Sequence, residues 1–182
     1  MMADDDWYDN RFDRYFIAVG RIAGIWAQLE FVINDAIWEL ANVESGAGAC
    51  ITAQIIPSNS RMRAFISLVH YRGAKQELLT DLNRFRHDID GLGQQRNRFI
   101  HDPASLNRET GEVSRVNVTA DLKLDFSYHP VDYNKMASLH TEINTAITHF
   151  RDLYKRVLNE VPPWPKTQYE RSPLGIRPRP PQ

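Results

Sequence analysis

Residues 78–101 read LLTDLNRFRHDIDGLGQQRNRFIH, and this stretch decides the fold class. Leu78, Leu82, Phe85, Ile89 and Leu92 recur at steps of three and four, which lines one face of an α-helix. Arg96 falls next in that phase, followed by Phe99. Pro103 disfavours the helical basin at Asp102, so the helix is expected to run from near Lys75 to near His101.

The same spacing extends upstream. Phe12, Phe16, Val19, Ala23, Trp26, Ile33, Ile37 and Leu40 form one stripe of a long helix from Asp9 to about Ala41. Glu44-Ser45-Gly46-Ala47-Gly48 reads as a break. Residues 49–56 form one or two helical turns stopped by Pro57. Ser58 or Asn59 then caps a helix carrying Met62, Phe65, Ile66, Leu68 and Val69, which Gly73 ends.

Downstream, residues 104–111 read as a loop with Thr110-Gly111 as its turn. The period then changes to two. Runs on either side of Ala120-Asp121 predict a β-hairpin whose Leu122, Leu124 and Phe126 face packs on the helices or on another subunit. Pro130 or Asp132 opens a last long helix with Met136, Leu139, Ile143, Ala146, Ile147, Phe150, Leu153, Val157 and Leu158. Seven of the ten prolines lie in 162–182. The expectation is an all-α, up-down bundle of four main helices over residues 9–160. The hairpin, 112–129, is inserted before the last helix, and a Pro/Arg-rich tail, 161–182, is extended or disordered.

Composition bounds the function. At 182 residues, 42% hydrophobic and 25% charged, the chain is long enough for one domain with a real core. A net charge of −1 and a pI near 6.6 argue against coating nucleic acid by bulk electrostatics. The charge is nevertheless uneven. Asp4, Asp5, Asp6 and Asp9 crowd the start, whereas 61–115 and the tail are locally basic. That reads as a solvated mixed surface or as a modest positive patch for a phosphate backbone. Cys50 is the one cysteine, which excludes an internal disulfide framework. The acidic start is unlike a signal peptide, and no apolar run is read as spanning a membrane, so a soluble, cytoplasmic protein is expected.

Two charged residues interrupt apolar stripes. Glu30 follows Trp26 in phase, and Arg96 follows Leu92. A buried carboxylate needs a cationic or donor partner, and an inward arginine needs anions or acceptors. Either the two share one polar site, or each reaches water from a stripe edge.

Arg96-Asn97-Arg98-Phe99-Ile100-His101 sharpens the choice. An arginine, a polar residue and a histidine five positions on, at a helix end in an all-α chain, resembles the HEPN superfamily. Its signature pairs an arginine with a histidine a few residues later. In an ideal helix, positions five apart lie about 140° apart, so His101 is expected to reach Arg96 by leaving the helix. The resemblance implies a metal-independent endoribonuclease with no cofactor, acting as a toxin or defence effector. Arg96 would stabilise the scissile phosphate, His101 would act as general acid/base, and Asn97 would orient the motif or contact substrate. It also implies RNA as substrate, a homodimer whose two motifs face each other, and an antitoxin or regulatory protein as partner. Helical phase adds Glu30 as an orienter of Arg96. The rival expectation is a non-catalytic helical binding or dimerisation module.

Other candidates carry less. His70, His87, His140 and His149 form no ligand pair with an acidic partner, and Gly91-Leu92-Gly93 follows no strand, so neither a metal site nor a phosphate loop is expected. Cys50 reads as a small apolar filler. Trp7, Tyr8, Phe12, Tyr15 and Phe16 read as core or dimer contact.

Overall fold

A computed structural model describes residues 12–107, 109–121, 123–162, 169–172 and 175–178. For 119–121, 123–126, 169–172 and 175–178 the description covers the backbone. The elements are α1 (Asp13–Ala41), α2 (Ser45–Thr52), α3 (Ser58–Tyr71), α4 (Gln76–His101), β1 (Ala104–Leu106), β2 (Val113–Asp121), β3 (Lys123–Pro130), α5 (Tyr133–Glu160), β4 (Tyr169–Ser172) and β5 (Gly175–Pro178). The chain is predominantly helical, with a small three-stranded antiparallel sheet before the last long helix.

A helix with an apolar face must cover it against a neighbour. α1 does so against α5, α3, α2 and α4, while α4 packs on α3 and α5. Phe65 of α3, Phe85 of α4 and Phe150 of α5 meet at the centre, all essentially inaccessible to solvent. Ring centroids lie 5.3 Å apart for Phe65–Phe150 and 5.7 Å for Phe85–Phe150. Burying such large side chains stabilises the fold by about 1.5–3 kcal/mol each.

The stripe of α1 holds from Trp26 onward but is one position out before it. Tyr15 and Ile22 are buried, whereas Phe16 is 53% exposed. This half of the helix is apolar nearly all round, so packing sets the phase there. Phe12 packs at the core's edge, and Trp7 and Tyr8 lie outside the described residues. The same composition corrects the expectation about membrane spans. By length and composition α1 is apolar enough to cross a membrane. Its Trp26, Leu29, Ile33, Ala36, Ile37 and Leu40 are buried against the other helices, while only 22% of its most apolar window is buried.

The break expected at 44–48 lies earlier. Asn42 takes the left-handed conformation, and Glu44 caps α2 by accepting from the amides of Gly46 and Ala47 at 2.9 and 3.2 Å. Gly48 is needed for close approach, since a Cβ there would meet the Trp38 ring at 2.5 Å. Trp38 Nε1 donates to Thr52 Oγ1 at 3.1 Å, tying α2 to α1. Ser58 does not cap α3; the N-cap is Pro57, and the serine hydroxyl points elsewhere.

The loop expected at 104–111 contains β1. Ala104, Ser105 and Leu106 pair with Arg115, Ser114 and Val113, and Gly111 supplies the positive φ of the connection. β2 and β3 form the expected hairpin, in register from Ser114↔Pro130 to Asp121↔Lys123. Val113 and Val116 at its base are buried, and Val118 and Tyr128 are exposed. The packing expected of Leu122, Leu124 and Phe126 lies outside the described residues. In the tail, β4 and β5 pair antiparallel from Tyr169↔Pro178 to Ser172↔Gly175. Residues 163–168, 173–174 and 179–182 of the tail lie outside the description.

Candidate functional site

α4 ends where the sequence puts its stop, and the stop creates a chemical problem. The carbonyl of Phe99 would normally accept from the amide four residues on, but that residue is Pro103, which has none. Tyr15 of α1 fills the vacancy, donating its hydroxyl to the Phe99 carbonyl at 3.0 Å. Burial pushes the Tyr15 hydroxyl pKa above its ordinary value, partly offset by the Arg115 guanidinium nearby. On the sheet side, the Val116 amide donates to the Pro103 carbonyl at 2.7 Å. Arg115 Nη1 reaches Asp102 at 3.2 Å and its guanidinium lies 4.7 Å from the Phe99 ring centre. The helix exit is therefore held from both α1 and β2.

Beside this exit lies a solvent-open cleft of about 380 Å³ between α1, the start of α3 and the last turns of α4. Its lining includes Trp26, Glu30, Ser58, Asn59, Asp90, Gln94, Arg96, Asn97 and His101. All four residues singled out from sequence thus line one cleft. His101 reaches it without leaving the helix, since α4 continues through His101 and Asp102 is its cap. Asn97 and His101, four positions apart, share a face. Arg96 comes from a different angle on a longer side chain.

Arg96 Nη1 donates to Asn97 Oδ1 at 2.8 Å. Its guanidinium carbon lies 5.9 Å from the centre of the Trp26 ring, and its Nε is buried without a hydrogen-bond partner. Gly93 lets that indole lie against α4, because a Cβ there would already stand 3.2 Å from its edge. Among the described residues, no carboxylate pairs with Arg96.

Glu30 is not the orienter of Arg96. Its carboxylate lies 2.7 Å from Arg61 Nη1 and accepts from Ser58 Oγ at 2.6 Å and Trp26 Nε1 at 3.1 Å. The reason is geometric: α3 packs directly on α1 and brings Arg61 to a stripe edge where its side chain is only 12% exposed. Glu30 touches the arginine site indirectly, through the indole that both residues contact. Arg61 and Ser58 were missed in the sequence because neither is patterned with Glu30; Arg61 did stand as a polar residue next to the buried Met62, the one signal available. Cys50 is exposed and not an apolar filler of the core. Among the described residues, no three His, Cys, Asp or Glu side chains gather as a metal site.

Fold and cleft together define a helical protein with a small sheet clamped to the exit of α4, and an arginine, an asparagine and a histidine at that exit. Compared with family models, curated proteins and solved structures, the chain matches none.

Proposed function

We propose that the protein is a metal-independent endoribonuclease of HEPN type. The observation that carries the reading is that Arg96, Asn97 and His101 line one open cleft while the nearby carboxylate Glu30 is already neutralised by Arg61. An arginine with a buried, unpartnered Nε and no carboxylate of its own is suited to receive an anion. In this reading α1, α3, α4 and α5 are the four helices of an up-down bundle, with α2 a connector.

The chemistry is transesterification. A base takes the proton of the ribose 2′-hydroxyl, the 2′-oxygen bonds to phosphorus, and the bond from phosphorus to the 5′-oxygen breaks. That oxygen leaves with a proton from an acid. His101 takes one of these proton roles, and His101 of a second copy takes the other across a dimer. Arg96 holds the phosphate oxygens as charge builds on them, and Asn97 fixes the guanidinium through its 2.8 Å bond. The setting is a cytoplasmic toxin or defence effector with a neutralising protein as partner. The test is incubation with single-stranded RNA in EDTA. Fragments with 2′,3′-cyclic phosphate and 5′-hydroxyl ends support the reading, and intact RNA refutes it.

A second reading, a non-catalytic dimerisation module, is favoured by the outer side of α1. Phe16, Ile17 and Phe31 are all more than half exposed there, and among the described residues nothing comes within 4 Å of where a Cβ of Gly20 or Gly24 would stand. A dimer that forms normally but never cuts RNA would establish it.

A further inference from the structure

A second polar pocket, of about 360 Å³, lies between α3 and α4 and is lined by Arg63, Ile66, Ser67, Asn83 and Arg86. Two arginines give it positive charge. α3 contains no acidic residue, and among the described residues neither Arg63 nor Arg86 forms an ion pair. Arg86 has its directions fixed: Nη1 donates to Asn59 Oδ1 at 3.0 Å, and Nη2 lies 3.0 Å from His87 Nε2. Ser67 adds a hydroxyl to the lining, and Asn83 an amide whose Nδ2 donates to the Leu79 carbonyl.

This pocket and the cleft are separate but lie along the same side of α4. Asn83, Arg86, Asp90, Gln94, Asn97 and His101 follow one another at steps of three and four, so one face of α4 runs through both. Asn59 bonds Arg86 and also lines the cleft. The ten residues from Arg86 to Arg96 correspond to about 15 Å along the helix.

Resting on the ribonuclease reading, we propose that Arg63 and Arg86, with Ser67 and Asn83, form a phosphate subsite for the RNA backbone a few nucleotides from the bond cut at Arg96 and His101. Asp90 lines the part of the cleft nearer Arg86 along α4, so the strand crosses on the α3 side, past Asn59. The subsite grips phosphate through guanidinium groups and carries no base information.

The experiment is fluorescence anisotropy with a labelled single-stranded RNA of about 12 nucleotides, a length such grooves accommodate, beside cleavage of a dinucleoside monophosphate. The double variant R63Q/R86Q is expected to bind the longer RNA roughly tenfold more weakly, and its salt slope to fall by about 0.7 for each phosphate no longer neutralised. R63Q alone, at an exposed side chain that does not line the cleft, should weaken binding by a smaller factor and leave cleavage of the dinucleotide, too short to span both pockets, unchanged. Wild-type affinity and salt slope in both variants, with cleavage still abolished by R96A, would overturn the subsite and leave the ribonuclease reading standing. Wild-type protein that neither binds nor cuts RNA would overturn both.

Discussion

Tyr15, in the first turn of α1, holds the last turn of α4 by donating to the carbonyl of Phe99 at 3.0 Å, two residues before His101. The bond answers a carbonyl orphaned by Pro103, so its loss leaves a buried acceptor unpaired. Tyr15→Phe is expected to destabilise the fold by about 1–3 kcal/mol, read as a lower Tm or denaturant midpoint. The raised pKa of Tyr15 also gives a pH effect. The folded state favours the protonated hydroxyl, so its contribution is intact below the ordinary tyrosine value and is lost as pH rises through and beyond it. Wild type should therefore lose stability on the alkaline side more steeply than Tyr15→Phe.

His101 is exposed and makes no hydrogen bond among the described residues. His101→Ala should change stability by no more than about 0.5 kcal/mol, while RNA cleavage drops by roughly 10²-fold or more. Arg96→Ala should abolish cleavage comparably with its helical circular dichroism unchanged. If both variants cut at the wild-type rate, the cleft is not the catalytic centre.

Glu30 and Arg61 form the half-buried pair that keeps negative charge away from Arg96. Removing either partner strands the other, and because both retain some solvent the cost is expected to be about 1–3 kcal/mol, below that of a fully buried pair. A double-mutant cycle of Glu30→Gln and Arg61→Gln should give a favourable coupling energy. The corresponding cycle of Glu30→Gln with Arg96→Gln should give a much smaller one. Equal coupling in the two cycles would show that Glu30 serves Arg96 after all.

Gly48 lies so close to Trp38 that any Cβ overlaps the indole. Gly48→Ala is expected to shift α2 off α1 and cost about 1–3 kcal/mol. Breaking the Trp38–Thr52 hydrogen bond should alter tryptophan fluorescence. An alanine variant with wild-type Tm and emission would disprove the close approach.

The long helices were legible because each is an amphipathic pattern punctuated by proline or glycine. Gly73, with φ of +86°, ends the α3 segment, and Pro103 ends α4 at His101. Asp132 caps α5 as its side chain type suggests, accepting from Asn134 and Lys135 at 3.0 Å. The start of α2 is not legible because Gly46 and Gly48 look like a break, and the purpose of Gly48 depends on Trp38 in another helix. β1 is three residues long, too short to show a period, and exists because β2 lies beside it.

By itself the sequence determined a mostly helical chain, a hairpin before its last helix, and an arginine–asparagine–histidine run at the end of a helix. These are local properties, written in spacing and in residues that start or stop backbone conformations. Tertiary structure alone decided that Glu30 belongs to Arg61, that Tyr15 completes the exit of α4, and that Arg86 connects through Asn59 to the cleft. Such partners stand 27 to 84 residues apart. No periodicity links positions that far apart; the packing of one helix face on another selects which polar side chains meet.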